Sequence, residues 1–544
     1  MTADDPPAWR VGALLGLALA WIVLVRIPLV LNAPVHLDSD LAVDGLTLID
    51  ALHGRWRWHY PGTPHIGSAA LGLSFLQAAL FGATPETLVS GGVLAYVLLV
   101  LATFWMAREI AGTAVALWTL IPLCFASTGL VWLSGRITGG HLLIAAWHAA
   151  AFALLARLLA RGGAGRAAAL GIFCGLGLWV DRLFLFSLLG IIPALLLRIP
   201  DPTAWQRRLV ETVIFGLGVL LGHLPAPLGQ RLDPYDAYGS QFETILVDPA
   251  RRRFDWSSAQ RLAWDHAQIL ATQCVPRLFS GQRLVWDRAG RFRGLASDPT
   301  PELFGGRPQR RDRIDNGPIP WSALAIGITA AVLALIGLIR PLHPASNPIL
   351  LAQGALLTAG ALTLAGFILN RHIYDSDNYR YLVTWIPTWA FGLASTLERG
   401  TRQSGRRWIA TGFAAIFALV MTLDTARWYR QLGWLDGVRP VRVPLNDRAF
   451  QWLSQHPEVD AIYGGYWDVY RLAFLRGGTL KAVPFPEYPV RFPEWRDQFP
   501  GDRPPILIAR PDRLGSFNRA KALSEGARIL DESPDLAILD WPNR

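Results

Sequence analysis

The sequence predicts a polytopic α-helical membrane protein with a small α/β domain at its C-terminal end. Three observations predict it. Apolar residues make up 52% of the chain and the mean hydropathy is +0.29, which excludes an ordinary soluble multidomain protein. Those residues gather in runs long enough to cross a bilayer core, for which a helix needs about 20 residues. Beyond residue 429 the long runs stop, and short apolar runs alternate with helical patterns.

The first run, 11–31, is longer than a signal-peptide core and lacks a convincing A-x-A site after it, so it reads as a retained anchor. Further spans are expected at 87–108, 113–132, 139–160, 167–181, 183–199, 209–228, 319–340, 348–370, 381–397 and 408–425. The stretch 66–82 is apolar but short and rich in Gly, Ala and Ser, and can be read as a twelfth span or as a surface helix. Charge decides between these readings, because loops on the cytoplasmic side carry an excess of basic residues. With 66–82 lying on the surface and the N-terminus inside, the cytoplasmic ends hold Arg10, Arg108, Arg157, Arg161, Arg198 and the Arg399–Arg407 group. The short outer turns then hold only Arg136, Arg182, Arg371 and Arg380. Counting 66–82 as a span inverts that bias. The expectation is therefore eleven spans with the C-terminus outside.

This topology divides the chain into a membrane domain, 1–428, and an extracytoplasmic α/β domain, 429–544. Two more polar pieces face outward. In 32–86, Asp40–Leu52 reads as a short helix ended by His53-Gly54. The loop 229–318 is rich in Arg, Trp and Pro, too polar to span and too long for a simple connector. In the last domain Asp460–Tyr463, Leu480–Val483, Ile506–Ala509 and Ala537–Leu539 read as strands, and Asp447–Ser454 and Ser516–Ser524 as helices.

The net charge of +10 would suggest nucleic acid in a soluble chain. Here the arginines sit mainly at span ends and in one loop, so orientation and anionic membrane lipids explain them and no nucleic-acid partner is expected. Cys124, Cys174 and Cys274 are scattered and offer no disulfide framework or metal spacing. No Walker loop, dinucleotide fingerprint or zinc-ligand cluster is present.

The most informative chemistry follows the first span: His36-Leu-Asp38-Ser-Asp40-Leu-Ala-Val-Asp44. Carboxylates where a span emerges can stay ionised at the water boundary yet face a cleft between helices. Asp40 and Asp44 share a helix face, while Asp38 precedes the helix and, like Ser39, also reads as its N-cap. Asp38 and Asp40 together suit a divalent cation such as magnesium or manganese, since hard cations take carboxylate oxygens.

After these acids come Leu52-His-Gly-Arg-Trp-Arg-Trp-His59, Tyr60-Pro-Gly-Thr-Pro-His-Ile-Gly-Ser68, a surface helix ending Leu80-Phe-Gly82, and the span at 87–108. This order resembles the GT-C superfamily of membrane glycosyltransferases, in the branch shared by protein O-mannosyltransferases and the lipid A aminoarabinose transferase. Asp40-Leu41-Ala42 aligns with the D-E-A-like motif of that branch; Leu41 stands where the family has a second acid, a place Asp38 can take. Tyr379-Arg380-Tyr381-Leu382 looks like its R-Y-L segment. The resemblance implies a GT-C-like fold and a polyprenyl-phosphate-linked sugar donor. It implies a lipid, glycan or protein acceptor, and transfer on the outer face of the inner or plasma membrane.

On that reading Asp40, with Asp38, takes the proton of an acceptor hydroxyl as its oxygen attacks the anomeric carbon. A base on one face and a phosphate leaving on the other implies inversion. The leaving lipid phosphate needs cations. Arg136, Arg371, His372 and Arg380 at outer span ends, with Tyr379 and with His65 in the first loop, are the candidate substrate-binding residues. The arginines can also simply snorkel to headgroups. Asp375 and Asp377 can pair with them. Arg26, one turn from the outer end of the first span, can orient the acids or snorkel. His141 is read as a helix–helix hydrogen-bonding residue, Asp181-Arg182 as a local ion pair, and most aromatics of Tyr463–Tyr470 as core. Arg251–Arg253, Trp256 and Trp264 mix cations with aromatics and read as a solvated face, or as a surface for a sugar, an anionic acceptor or lipid headgroups. The alternative class is a transporter or flippase, against which stand the absence of an internal repeat and the boundary position of the acids.

Overall fold

The computed structural model describes residues 6–63, 65–198, 204–235, 244–248, 253–287, 289–297, 314–340, 347–435, 447–499, 501 and 503–542. The chain opens with α1 (Ala8–Leu31) and α2 (Ser39–Leu52), then a 3-10 turn at Ser68–Leu71 and α3 (Gly72–Phe81). Next come α4 (Pro85–Ala111), α5 (Thr113–Cys124), α6 (Thr128–Leu133), α7 (His141–Arg161), α8 (Ala164–Val180), α9 (Phe184–Leu197), α10 (Trp205–Gly222) and α11 (Pro225–Leu232). A small pair of strands, β1 (Val247–Asp248) and β2 (Arg253–Phe254), precedes α12 (Trp256–Ile269), a π-helical turn, α13 (Val275–Ser280) and the hairpin β3 (Gln282–Trp286)–β4 (Phe292–Ser297). Four long helices follow: α14 (Pro318–Ile339), α15 (Asn347–Leu369), α16 (Trp385–Arg402) and α17 (Arg407–Gln431). The chain ends in α18 (Arg448–Gln455), β5 (Ala461–Gly464), α19 (Tyr466–Leu475), β6 (Lys481–Pro484), α20 (Pro493–Arg496), β7 (Ile506–Ala509), α21 (Arg513–Ser524), β8 (Arg528–Ser533) and β9 (Leu536–Asp540).

By length and composition α1, α4, α7, the α10–α11 pair, α14, α15 and α17 can each cross a membrane, and the chain is a multi-pass membrane protein. The other expected spans, α5, α8, α9 and α16, are shorter or more polar helices. α3 has only 10 residues, about 15 Å of helix, too short to span. It buries Ser74 and Ala78 and exposes Leu76, Leu80 and Phe81.

Three expected spans are interrupted. The segment 113–132 breaks after Pro122, and Ser127 restarts it by accepting from the Leu130 amide at 3.2 Å. The segment 209–228 divides before Pro225, which opens α11. The helix expected from 381 starts at Trp385, because Asp375 caps a 3-10 helix at Ser376–Leu382 ahead of it. The loop at 229–318 contains α12, α13 and a hairpin that the sequence pattern did not announce.

Close helix packing rests on small residues, as expected where lipid offers no solvent penalty to drive association. On α8 and α10 a Cβ added at Gly171, Gly175 or Gly222 would overlap the backbone of the facing helix.

The terminal sheet runs β6-β5-β7-β9-β8, parallel through β6, β5 and β7 and antiparallel at β9 and β8. The four expected strands are present with ends shifted by about a residue. β8, which reads Arg-Ile-Leu-Asp-Glu-Ser, was not expected: it is an exposed edge, and charge on such strands hides their pattern.

α2 is the hinge between the helical bundle and the sheet region. Residues Leu41–Leu48 are all buried, and the helix packs on α19. Gly45 makes that approach possible, since a Cβ there would overlap the Phe474 ring. Gly45→Ala is expected to lower the thermal-unfolding midpoint of the purified protein, with an overpacking cost of about 1–3 kcal/mol.

Candidate functional site

α2 begins where Asp38 accepts from the Leu41 amide at 2.9 Å, so Asp38 is the N-cap and Asp40 lies in the first turn. The second oxygen of Asp38 accepts from Arg136 at 2.5 Å, and the Arg136 guanidinium also stacks 4.6 Å over Trp132. Both Asp38 oxygens are thereby engaged in holding the loop after α1 against the turn after α6.

Asp40 has other surroundings. Its Oδ1 accepts from the Tyr466 phenol at 2.5 Å and lies 3.6 Å from Arg491. Its backbone carbonyl accepts from Tyr60 at 2.8 Å. Its Oδ2 takes part in no hydrogen bond or ion pair among the described residues, and the side chain retains 18% exposure, enough to be reached. Sequence reasoning missed Tyr466 and Arg491. They lie more than 400 residues from Asp40, and Tyr466 looked like core.

Arg380 faces the same region from the 3-10 helix before α16. Burial alone would weaken its hold on its proton, but Tyr381, Asp40 and Asp377 outweigh that and the guanidinium is held above its ordinary range. It lies 5.5 Å from the centre of the Tyr381 ring, which meets His141 edge-on at 5.9 Å. The buried Arg380 Nε has no hydrogen-bond partner. His141 opens α7 after two glycines with positive φ, and its Nδ1 stands 3.7 Å from the Asp181 carboxylate, outside hydrogen-bond reach. Asp181 is fully buried; its Oδ1 accepts from the Leu183 amide at 2.8 Å and its Oδ2 has no hydrogen-bond partner. His65 is coupled electrostatically to Asp181, His141, Arg182 and His372, with burial the main force pushing its ionisation below the ordinary histidine value. Arg380 and His141 are thus coupled electrostatically to Asp40, and His141 and His65 to Asp181, with the Arg380 Nε buried and without a hydrogen-bond partner.

Other expected site residues make contacts of their own. Tyr379 is buried, donates to the Gly129 carbonyl at 2.9 Å and lies under the Arg277 guanidinium at 4.2 Å, which makes it a structural link between α6 and the 3-10 helix. Arg371 donates to the Val247 carbonyl at 3.0 Å from an exposed position, and the His372 imidazole bonds the Tyr374 hydroxyl at 2.9 Å. Asp377 pairs with Arg277 at 2.6 Å, while Asp375 caps the 3-10 helix. Arg26 neither orients the acids nor snorkels: it is fully buried, donates to Ser134 at 2.7 Å and covers the Tyr96 ring at 3.9 Å. Asp181, read as a local partner of Arg182, faces His141 across the helix pair. Trp256 and Trp264 are exposed; Arg251 and Arg252 lie outside the described residues.

Asp38 and Asp40, the carboxylates expected to suit a divalent ion, each already meet a cation. Arg136 already occupies one carboxylate and Tyr466 with Arg491 flanks the other. Among the described residues no three His, Cys, Asp or Glu side chains gather as a ligand set.

The long-helix bundle with its terminal α/β region has the GT-C fold. Solved structures that share it include ArnT from Cupriavidus metallidurans bound to undecaprenyl phosphate, with a TM-score of 0.57 and 12% identity over 96% of this chain and 97% of that one. The Archaeoglobus fulgidus oligosaccharyltransferase in its apo form aligns with a TM-score of 0.51 and 13% identity over 92% of this chain and 70% of that one. No protein-family model matches the sequence, and no curated protein matches it.

Proposed function

We propose that the chain is an integral-membrane glycosyltransferase that moves a sugar from a polyprenyl-phosphate donor to an acceptor hydroxyl. The observation that supports this reading is a carboxylate after the first membrane helix that keeps one oxygen free and is coupled electrostatically to Arg380 and His141. Asp40 Oδ2 takes the acceptor proton as the acceptor oxygen bonds to the anomeric carbon. The bond from that carbon to the donor phosphate breaks, and its electron pair leaves on the lipid phosphate. Arg380, with His141 and His65, receives that growing charge, which is the role oriented donors perform best in a site shielded from water. Attack and departure on opposite faces invert the anomeric centre. Arg136 acts through Asp38 by fixing the loop. Arg371 and His372, held by Val247 and Tyr374, would meet the outer part of the donor.

Two neighbours support the donor class. ArnT was solved with undecaprenyl phosphate, and the archaeal oligosaccharyltransferase AglB with an inhibitory peptide and a dolichol-phosphate. Orientation follows from the arginine distribution: the acidic loop and the terminal α/β domain face the exterior of the inner or plasma membrane. The acceptor is a hydroxyl-bearing lipid, glycan or protein.

The test is transfer by purified protein from a panel of radiolabelled polyprenyl-phosphate sugars, with loss of label from the lipid as the readout. Turnover of one or more donors is expected; a chain that neither turns over nor binds any of them would be a transporter or scaffold. Because each of the two acids already meets an arginine, EDTA is expected to leave the rate within about twofold of its untreated value. A rate abolished by EDTA and restored by magnesium or manganese would overturn that expectation.

A further inference from the structure

Two residues of the terminal α/β region reach back to α2. Tyr466 opens α19, and its backbone carbonyl accepts from the Ser39 hydroxyl at 2.6 Å. Its phenol oxygen accepts from Arg491 Nε at 3.0 Å, so its own proton is free to be donated to Asp40 Oδ1. Arg491 is anchored on both sides. Its Nη1 donates to Thr63 at 2.5 Å and to the Gly62 carbonyl at 3.2 Å, in the first loop. Its backbone amide donates to the Tyr470 phenol at 2.7 Å. Burial first, and then the Asp40 charge, push the Tyr466 phenol well above its ordinary titration range, so it keeps its proton and remains a donor.

We propose that Tyr466 and Arg491 are positioning residues for Asp40, so that the terminal α/β region completes the acid's geometry by holding Oδ1 and leaving Oδ2 to accept a proton. The inference rests on Asp40 being the base. The carboxylate of a first-turn aspartate has free rotation about its side-chain bonds; a phenol and a guanidinium on one oxygen remove that freedom. The region is therefore part of the reacting centre, in addition to whatever it does for the acceptor.

Two readouts test this. The first is steady-state kinetics of Tyr466→Phe, Arg491→Lys and the double variant. Phe keeps the ring that packs on Tyr470 and Tyr488. Tyr466→Phe is expected to lower kcat about 10–100-fold, the size of one hydrogen bond to a charged group, while the donor KM stays within about twofold. The two losses should be non-additive, because both act through one carboxylate. The second readout needs no activity: carbodiimide labelling of carboxylates, read by mass spectrometry. In Tyr466→Phe the labelling of Asp40 should rise severalfold with Asp38 unchanged. A kcat within twofold of native, or unchanged Asp40 labelling, overturns the proposal. If the native chain turns over no donor but Asp40 labelling responds, the clamp stands and the transferase reading fails.

Discussion

Asp40→Asn is expected to lower kcat by about 10²–10⁴-fold, the usual contribution of a positioned general base, with donor binding retained. The change is nearly isosteric. The amide oxygen can still accept from Tyr466 and the helix stays capped by Asp38, so the fold should survive. What disappears is the acceptor for the hydroxyl proton. Asp38→Asn gives the contrast. An asparagine still caps a helix, and the loss is the ion pair with Arg136, so the rate should fall far less than in Asp40→Asn. Radiolabelled transfer under single-turnover conditions measures both. Equal losses in the two variants would mean that the loop acts as a structural unit, with no base at Asp40.

The second large effect is expected at Arg380. Arg380→Met should lower kcat by about 10²–10³-fold, the cost of removing one donor aimed at developing charge, and should also weaken the donor KM. The guanidinium is the cation closest in character to what a leaving phosphate needs: half-buried, held protonated by Tyr381, Asp40 and Asp377, and carrying a buried Nε without a hydrogen-bond partner. Arg380→Lys keeps the charge but loses the planar fork, so it should recover part of the rate and little of the affinity. Steady-state kinetics over donor concentration separate the two effects. A variant with native kcat and a raised KM would place Arg380 on the donor only in its ground state.

Sequence and structure agree where one local signal decides. The spans are legible because hydrocarbon thickness demands long apolar runs, and Asp38, Asp40 and the α2 helix follow from a capping pattern that needs no tertiary knowledge. The breaks before α6 and α11 turn on single residues, Ser127 and Pro225, inside stretches that otherwise read as continuous. A motif points to Tyr379 as a site residue, whereas its hydroxyl donates to the Gly129 carbonyl and Arg277 covers its ring. His141 and Asp181 read separately as a helix contact and a local pair, and only packing of α7 beside the α8–α9 turn sets them facing each other. Tyr466 and Arg491 were illegible for the same reason: no periodicity links a C-terminal helix to a carboxylate after the first span.

The most direct measurement loads the purified chain with a radiolabelled polyprenyl-phosphate sugar, adds acceptor, and follows label on lipid and product for the native protein and Asp40→Asn. On this mechanism both proteins hold the donor and only the native chain passes its sugar on, with inverted anomeric configuration. Transfer by Asp40→Asn at the native rate, or a product of retained configuration, would contradict it.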